Sequence, residues 1–107
     1  MRLRRGGQFD ELVLRQLSLF AGDETDLLQE AAEAEDAWVR SGRDTAEDAY
    51  GDYQLVVDAL ADRLLEIREA YAATLTGDTA DEYRRAFAAG AARRFRRYAS
   101  LVADLEP

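Results

Sequence analysis

Two clusters of side chains in this sequence have the types and spacing to do chemistry. Glu30 and Glu33 stand three residues apart, close to Asp26 and Glu35-Asp36. On a helix such a pair shares one face, where two carboxylates can offer oxygens to a hard cation such as Mg²⁺. The second cluster is Arg93-Arg94-Phe95-Arg96-Arg97, preceded by Arg84-Arg85. Arginines around an aromatic ring suit phosphates and stacked bases, or an acidic protein surface. Much else is excluded. The chain has no histidine and no cysteine, which removes imidazole bases, thiol nucleophiles, disulfides and the usual zinc and haem ligand sets. Serine and threonine hydroxyls are left without a histidine or lysine to activate them, and Gly6-Gly7 lacks the spacing of a phosphate-binding loop.

In size, helix content and the Glu30/Glu33 half-motif, the chain resembles the all-α pyrophosphohydrolases of nucleoside triphosphates. The resemblance implies Mg²⁺ held by Glu30 and Glu33 together with a second acidic pair from the next helix. The candidates for that second pair depart from the pattern: Asp58 and Asp62 are four apart, and Glu66 and Glu69 lie far downstream. No lysine is present for the triphosphate. A solvated acidic face therefore accounts for these residues, and the expectation is a non-catalytic chain that implies no cofactor. Trp38-Val39-Arg40-Ser41-Gly42 sets a tryptophan before a turn, as small secreted hairpins of the WXG type do. Here the glycine follows four residues later and Tyr98 is followed four later by Val102, so that family is not assigned.

Helices must position these residues, because every apolar period in the chain is helical and none alternates as a strand would. Alanine fills 20 positions and the single proline is the last residue, a composition that favours uninterrupted helix. Three clusters punctuate it: Gly22-Asp23-Glu24-Thr25-Asp26, Ser41-Gly42-Arg43-Asp44-Thr45 and Gly77-Asp78-Thr79-Ala80-Asp81. Each joins a glycine that ends one helix to an Asp or Thr that can cap the next. The cuts predict helices near 8–21, 24–40, 45–76 and 79–105, in a single domain over 8–105 behind a basic arm at 1–7. The expected fold is all-α, an antiparallel bundle of four helices. Phe9, Val13, Gln16, Phe20, Leu27, Ala31, Ala34 and Trp38 keep one helical phase through Gly22. Three long helices are thus the alternative, and a break near Gly22 is the expectation.

The third helix carries a stripe of Tyr53, Val57, Leu60, Leu64, Ile67 and Tyr71, and the fourth one of Tyr83, Phe87, Ala91, Phe95, Tyr98, Leu101 and Leu105. Both recur every three or four residues, one face at about 100° per residue. A hairpin at Gly77 would set Glu69 level with Arg85, Asp62 with Arg93 and Asp58 with Arg96. Arg94, near the stripe, calls for a carboxylate partner. Gly90 sits mid-helix in Ala88-Ala89-Gly90-Ala91-Ala92 at a cost of about 1 kcal/mol against alanine. It predicts a close helix approach or a bulky ring received opposite. Tyr50, Tyr53, Tyr71, Tyr83 and Tyr98 read as rim residues, with the lining of a small-molecule cavity as the alternative.

The chain of 107 residues has a net charge of −8, unevenly placed. Residues 1–20 carry four Arg against two acids, 21–82 carry 18 acids against four Arg, and 83–107 carry six Arg against two acids. The overall charge disfavours nucleic acid and anionic membranes as partners. No apolar run approaches the ~20 residues of a membrane span, and the charged start does not read as a signal peptide; the expected location is cytoplasmic. Segment 8–21 is apolar over more than half its circumference, which predicts a subunit seam. Leu14, Leu17 and Leu19 are its candidates, joined by Leu55 and Leu65 from the third helix. The expected function is a non-catalytic protein–protein interaction or assembly module that forms a homodimer. The alternatives are the Mg²⁺-dependent enzyme above, or a binder of an acidic partner or nucleic acid through Arg85, Arg93, Arg96 and Arg97.

Overall fold

Each apolar stripe becomes the buried face of a helix. A computed structural model describes residues 7–98 together with Leu101, Ala103 and Leu105; of the predicted arm only Gly7 falls among them. The elements are α1 (Asp10–Asp23), α2 (Thr25–Val39), α3 (Ala46–Ala72) and α4 (Gly77–Arg94), and no strand occurs among the described residues. The described residues form an all-α bundle of four helices.

The break between the first two helices falls at Glu24, with φ −113° and ψ 39°, two residues beyond the glycine that predicts it. Glu24 still donates to the Phe20 carbonyl at 2.8 Å and accepts from Leu28 at 2.9 Å, so the chain is kinked rather than reversed. As a result α1 and α2 together run one way along α3. Phe9 meets Tyr71, Glu24 meets Arg63, and Trp38 meets Tyr50 and Tyr53. The kink leaves α2 packed along α3 and turns α1 onto α4.

α1 and α4 run side by side in the same direction, with Phe9 5.5 Å from Tyr83 at one end and Phe20 5.9 Å from Phe95 at the other. Gly90 is the reason they fit. A Cβ at that position would lie 2.7 Å from Val13 Cγ1 and 3.3 Å from Leu17 Cδ1, closer than side chains tolerate. The predicted close approach is thus made by α1, and the atoms nearest Gly90 belong to Val13 and Leu17 rather than to a ring. The reversal from α3 to α4 needs glycine for another reason: Gly77 has φ 48°, the left-handed region that other residues avoid.

The helix ends depart from expectation in two places. α3 stops at Ala72 rather than 76, and the Thr74 hydroxyl takes the Tyr71 carbonyl at 2.7 Å, offering the backbone an alternative to further helix. α4 stops at Arg94 rather than running to 105. Phe95 and Tyr98 form a turn closed by the Tyr98 N–H on the Phe95 carbonyl at 2.9 Å. The chain then doubles back: Tyr98 lies 6.2 Å from Tyr53, while the Leu105 carbonyl accepts from Arg68 Nη1 at 3.2 Å. A straight helix would carry Leu101 and Leu105 away from the core. Reversal buries both completely, at about 1.5–3 kcal/mol per leucine.

The predicted caps are also revised. Glu24, Thr45 and Thr76 occupy the N-cap positions of α2, α3 and α4, and none makes a side-chain capping bond. Acids in the first turns, Asp26, Glu47, Asp48 and Asp78, interact instead with the helix dipole.

Candidate interaction surface

The five leucines predicted for a seam separate into two groups. Leu17 is 1% exposed and lies between α1 and α4 in the core; it is not a surface residue, which corrects its assignment. Leu65 is half-buried and packs against the core. Part of the wide apolar arc of α1 is covered within the chain, where Val13, Leu17 and Phe20 enter the core and the helix meets α4. Leu14, Leu19 and Leu55 stay outside, at 55%, 61% and 70% exposure. They do not form one patch. At about 100° per residue, Leu14 and Leu19 lie about 140° apart around α1. Leu55 stands on the outer side of α3 between exposed Asp52 and Asp58.

Where α1 diverges from α3, a groove of about 330 Å³ opens, with Phe20 and Ile67 as its apolar floor and Leu19 as one wall. Asp23, Glu66 and the ion pair Arg63–Glu24, at 2.6 Å, form its rim. The kink at Glu24 makes this groove, so it could not be read from periodicity.

The carboxylate pair remains apart from any second one. Glu30 and Glu33 are both exposed on α2, and Glu33 accepts from Gln29 at 3.2 Å, one turn away. Among the described residues no three acidic side chains converge where a metal ion could be held.

The arginines divide between paired and free. Arg97 donates to Glu35 and lies with its guanidinium carbon 5.2 Å from the centre of the Tyr98 ring; it thereby leaves the predicted basic face and ties the last turn to α2. Glu69 is shared by Arg84, at 3.0 Å, and Arg68, at 2.7 Å, so the hairpin register differs by one residue from the predicted Glu69–Arg85 match. Hydrogen bonds from Arg84 and then Arg68 hold the Glu69 carboxyl down at about 2, against an ordinary 4.5. The predicted Asp62–Arg93 and Asp58–Arg96 pairs do not form among the described residues. The cause is the course of α4, which leaves α3 after the hairpin to follow α1. Arg94 is exposed and donates to the Ser18 hydroxyl at 3.4 Å, not to a carboxylate. Arg85, Arg93 and Arg96 are exposed and form no ion pair among the described residues.

The tyrosines form two ring clusters rather than the lining of one cavity. Tyr71 and Tyr83 pack with Phe9 at one end, and Tyr50, Tyr53 and Tyr98 with Trp38 at the other. The buried Tyr83 hydroxyl donates to Gln16 Oε1 at 2.8 Å, and burial raises its pKa above the ordinary value. Sequence reading missed the Trp38–Tyr98 end of this arrangement because Tyr98 reaches it only after the turn at Phe95. The four arginines crowding that turn were the available signal, since they repel one another in a continuous helix.

The chain matches no protein-family model, and no curated protein and no solved structure is significantly similar to it. Among the described residues no helix is long and apolar enough to cross a membrane.

Proposed function

We propose that the protein is a non-catalytic helical-bundle module that self-associates. The supporting observation is that the bundle closes over its core and leaves Leu14, Leu19 and Leu55 outside at more than half exposure. Single exposed leucines are common; here they accompany a surface whose charge is unevenly divided. Acids that form no ion pair among the described residues crowd α2 and α3, including Asp26, Glu30, Glu33, Asp52, Asp58 and Asp62, whereas Arg85, Arg93 and Arg96, likewise without an ion pair among the described residues, belong to the fourth helix and the turn after it. Opposed charge at separate places on one surface promotes association between copies and sets their orientation.

Sedimentation or light scattering over a range from micromolar to millimolar protein tests the reading. The mass rises with concentration if the module self-associates, and a strict monomer throughout overturns it. A second reading, an acidic partner docked on the fourth helix, rests on Arg85, Arg93 and Arg96, which form no ion pair among the described residues. Arg93→Glu combined with Arg96→Glu abolishes such binding, and the affinity falls steeply with salt; binding unchanged by the double substitution excludes it.

A further inference from the structure

The three exposed leucines differ in their charged neighbours, and the difference selects one of them as a seam between two copies. One helical turn from Leu55 on either side stand Asp52 and Asp58. Two copies meeting there would bring acid against acid. Leu14 is preceded one turn away by Asp10 and Glu11 and followed by Leu17 and Ser18, again with no basic residue one turn away. Around Leu19 the pattern is different: Arg15 lies four residues before it and Asp23 four residues after. Arg15 and Asp23 are exposed and form no ion pair among the described residues. A two-fold axis through Leu19 that runs two α1 helices antiparallel sets residue 15 opposite residue 23 of the other copy, twice over. Such an interface is self-complementary, as closed dimers require.

Two further observations favour the same face. Gly22, three residues after Leu19, is helical, lacks the positive φ that would demand glycine, and has nothing within 4 Å of an added Cβ. It weakens α1 with no compensation inside the chain, and it permits close approach of a second helix. Beside it opens the α1–α3 groove, with Leu19 as a wall and Phe20 and Ile67 beneath.

We propose that this face of α1 is the homodimer seam, with Leu19 of each copy seated at the mouth of the other's groove and Arg15 paired with Asp23 across the two-fold axis. The proposal rests on the self-association reading and adds its location. Because α1 is 14 residues long, about 21 Å, the contact is small, and the dimer belongs to the weak, reversible class.

The full chain and four variants are compared by sedimentation equilibrium. Leu19→Glu is expected to weaken the dimer by roughly tenfold or more, as for a central apolar contact. Leu14→Glu, on the opposite flank of α1, leaves it unchanged. Arg15→Asp alone weakens it by about three- to tenfold, and adding Asp23→Arg restores it, since the swapped pair is again complementary. Circular dichroism verifies that each variant is folded, which the exposure of all these positions favours. Wild-type protein that stays monomeric overturns the self-association reading and this one together. Dimerisation that survives Leu19→Glu, or a charge swap that fails to rescue, overturns only the location. An apolar dye that fills the groove without competing with dimerisation also overturns it, and marks the groove as a small-molecule site.

Discussion

The α1–α4 pair and the α2–α3 hairpin contain similar proportions of apolar residues but use them differently. α1 buries Val13, Leu17 and Phe20, and α4 buries Tyr83, Phe87, Gly90 and Ala91. α2 buries only Ala31 in full; its larger side chains, Leu27, Leu28 and Trp38, pack half-covered over α3. The difference lies in the small residues of α4. Gly90 and Ala91 let α1 approach until Val13 and Leu17 are sealed, whereas α2 covers α3 with Leu27, Leu28 and Trp38 and leaves part of these three in water. α3 nevertheless buries Tyr53, Val57, Leu60, Ala61, Leu64 and Ala72, so the second pair is deeply buried on one helix and half-covered on the other. Burial in the first pair is thus shared between both helices, whereas in the second it falls almost entirely on α3.

Substitutions that cross this division sharpen it. Phe87→Ala, in the sealed pair, is expected to cost about 3–5 kcal/mol, close to the whole stability of a small domain, and urea denaturation measures it. Next comes one substitution made in both halves. Gly90→Ala forces a Cβ against Val13 and costs about 1–3 kcal/mol of strain, reduced by the gain in helix propensity. Gly51→Ala, on exposed α3 where an added Cβ meets nothing within 4 Å, gains up to about 1 kcal/mol. Opposite signs in thermal melts support the comparison, and equal signs break it.

The smallest effect is at Glu69. Its carboxyl is held at about 2 against 4.5, so folding favours the charged form. The contribution is fully present above about pH 4.5 and is lost as the pH falls through 2. With 46% of the side chain exposed, solvent and salt screen the pair, and the contribution is at most about 1 kcal/mol. Glu69→Gln is expected to remove this increment at neutral pH and to flatten the acid limb of stability by the same amount. An unchanged acid limb would show that the folded chain does not hold the Glu69 carboxyl below its ordinary value.

How far the fold was legible follows from the range of the forces involved. The four helices and the need for small residues at Gly90 were legible because periodicity and propensity act within a few turns. The partner of Gly90 was not, since α1 is distant in sequence and ridge-to-groove packing chose it. The Glu69 clasp was legible to within one residue. The ion pairs predicted farther from the hairpin failed because a small divergence at the turn grows along a helix. Of the candidate seam, periodicity recognised Leu14, Leu19 and Leu55 as surplus apolar residues but could not separate them from Leu17, which has the same type and a neighbouring position.

By itself the sequence determined that the chain is helical, where its helices begin and end to within a few residues except at the end of α4, and which face of each is apolar. These are properties of dihedral preference and side-chain spacing, settled locally. Only the tertiary structure decided that α1 bends away from α3, that the chain reverses at Phe95, and which leucines are left in water. Those outcomes depend on the total volume to be enclosed, to which all the helices contribute at once.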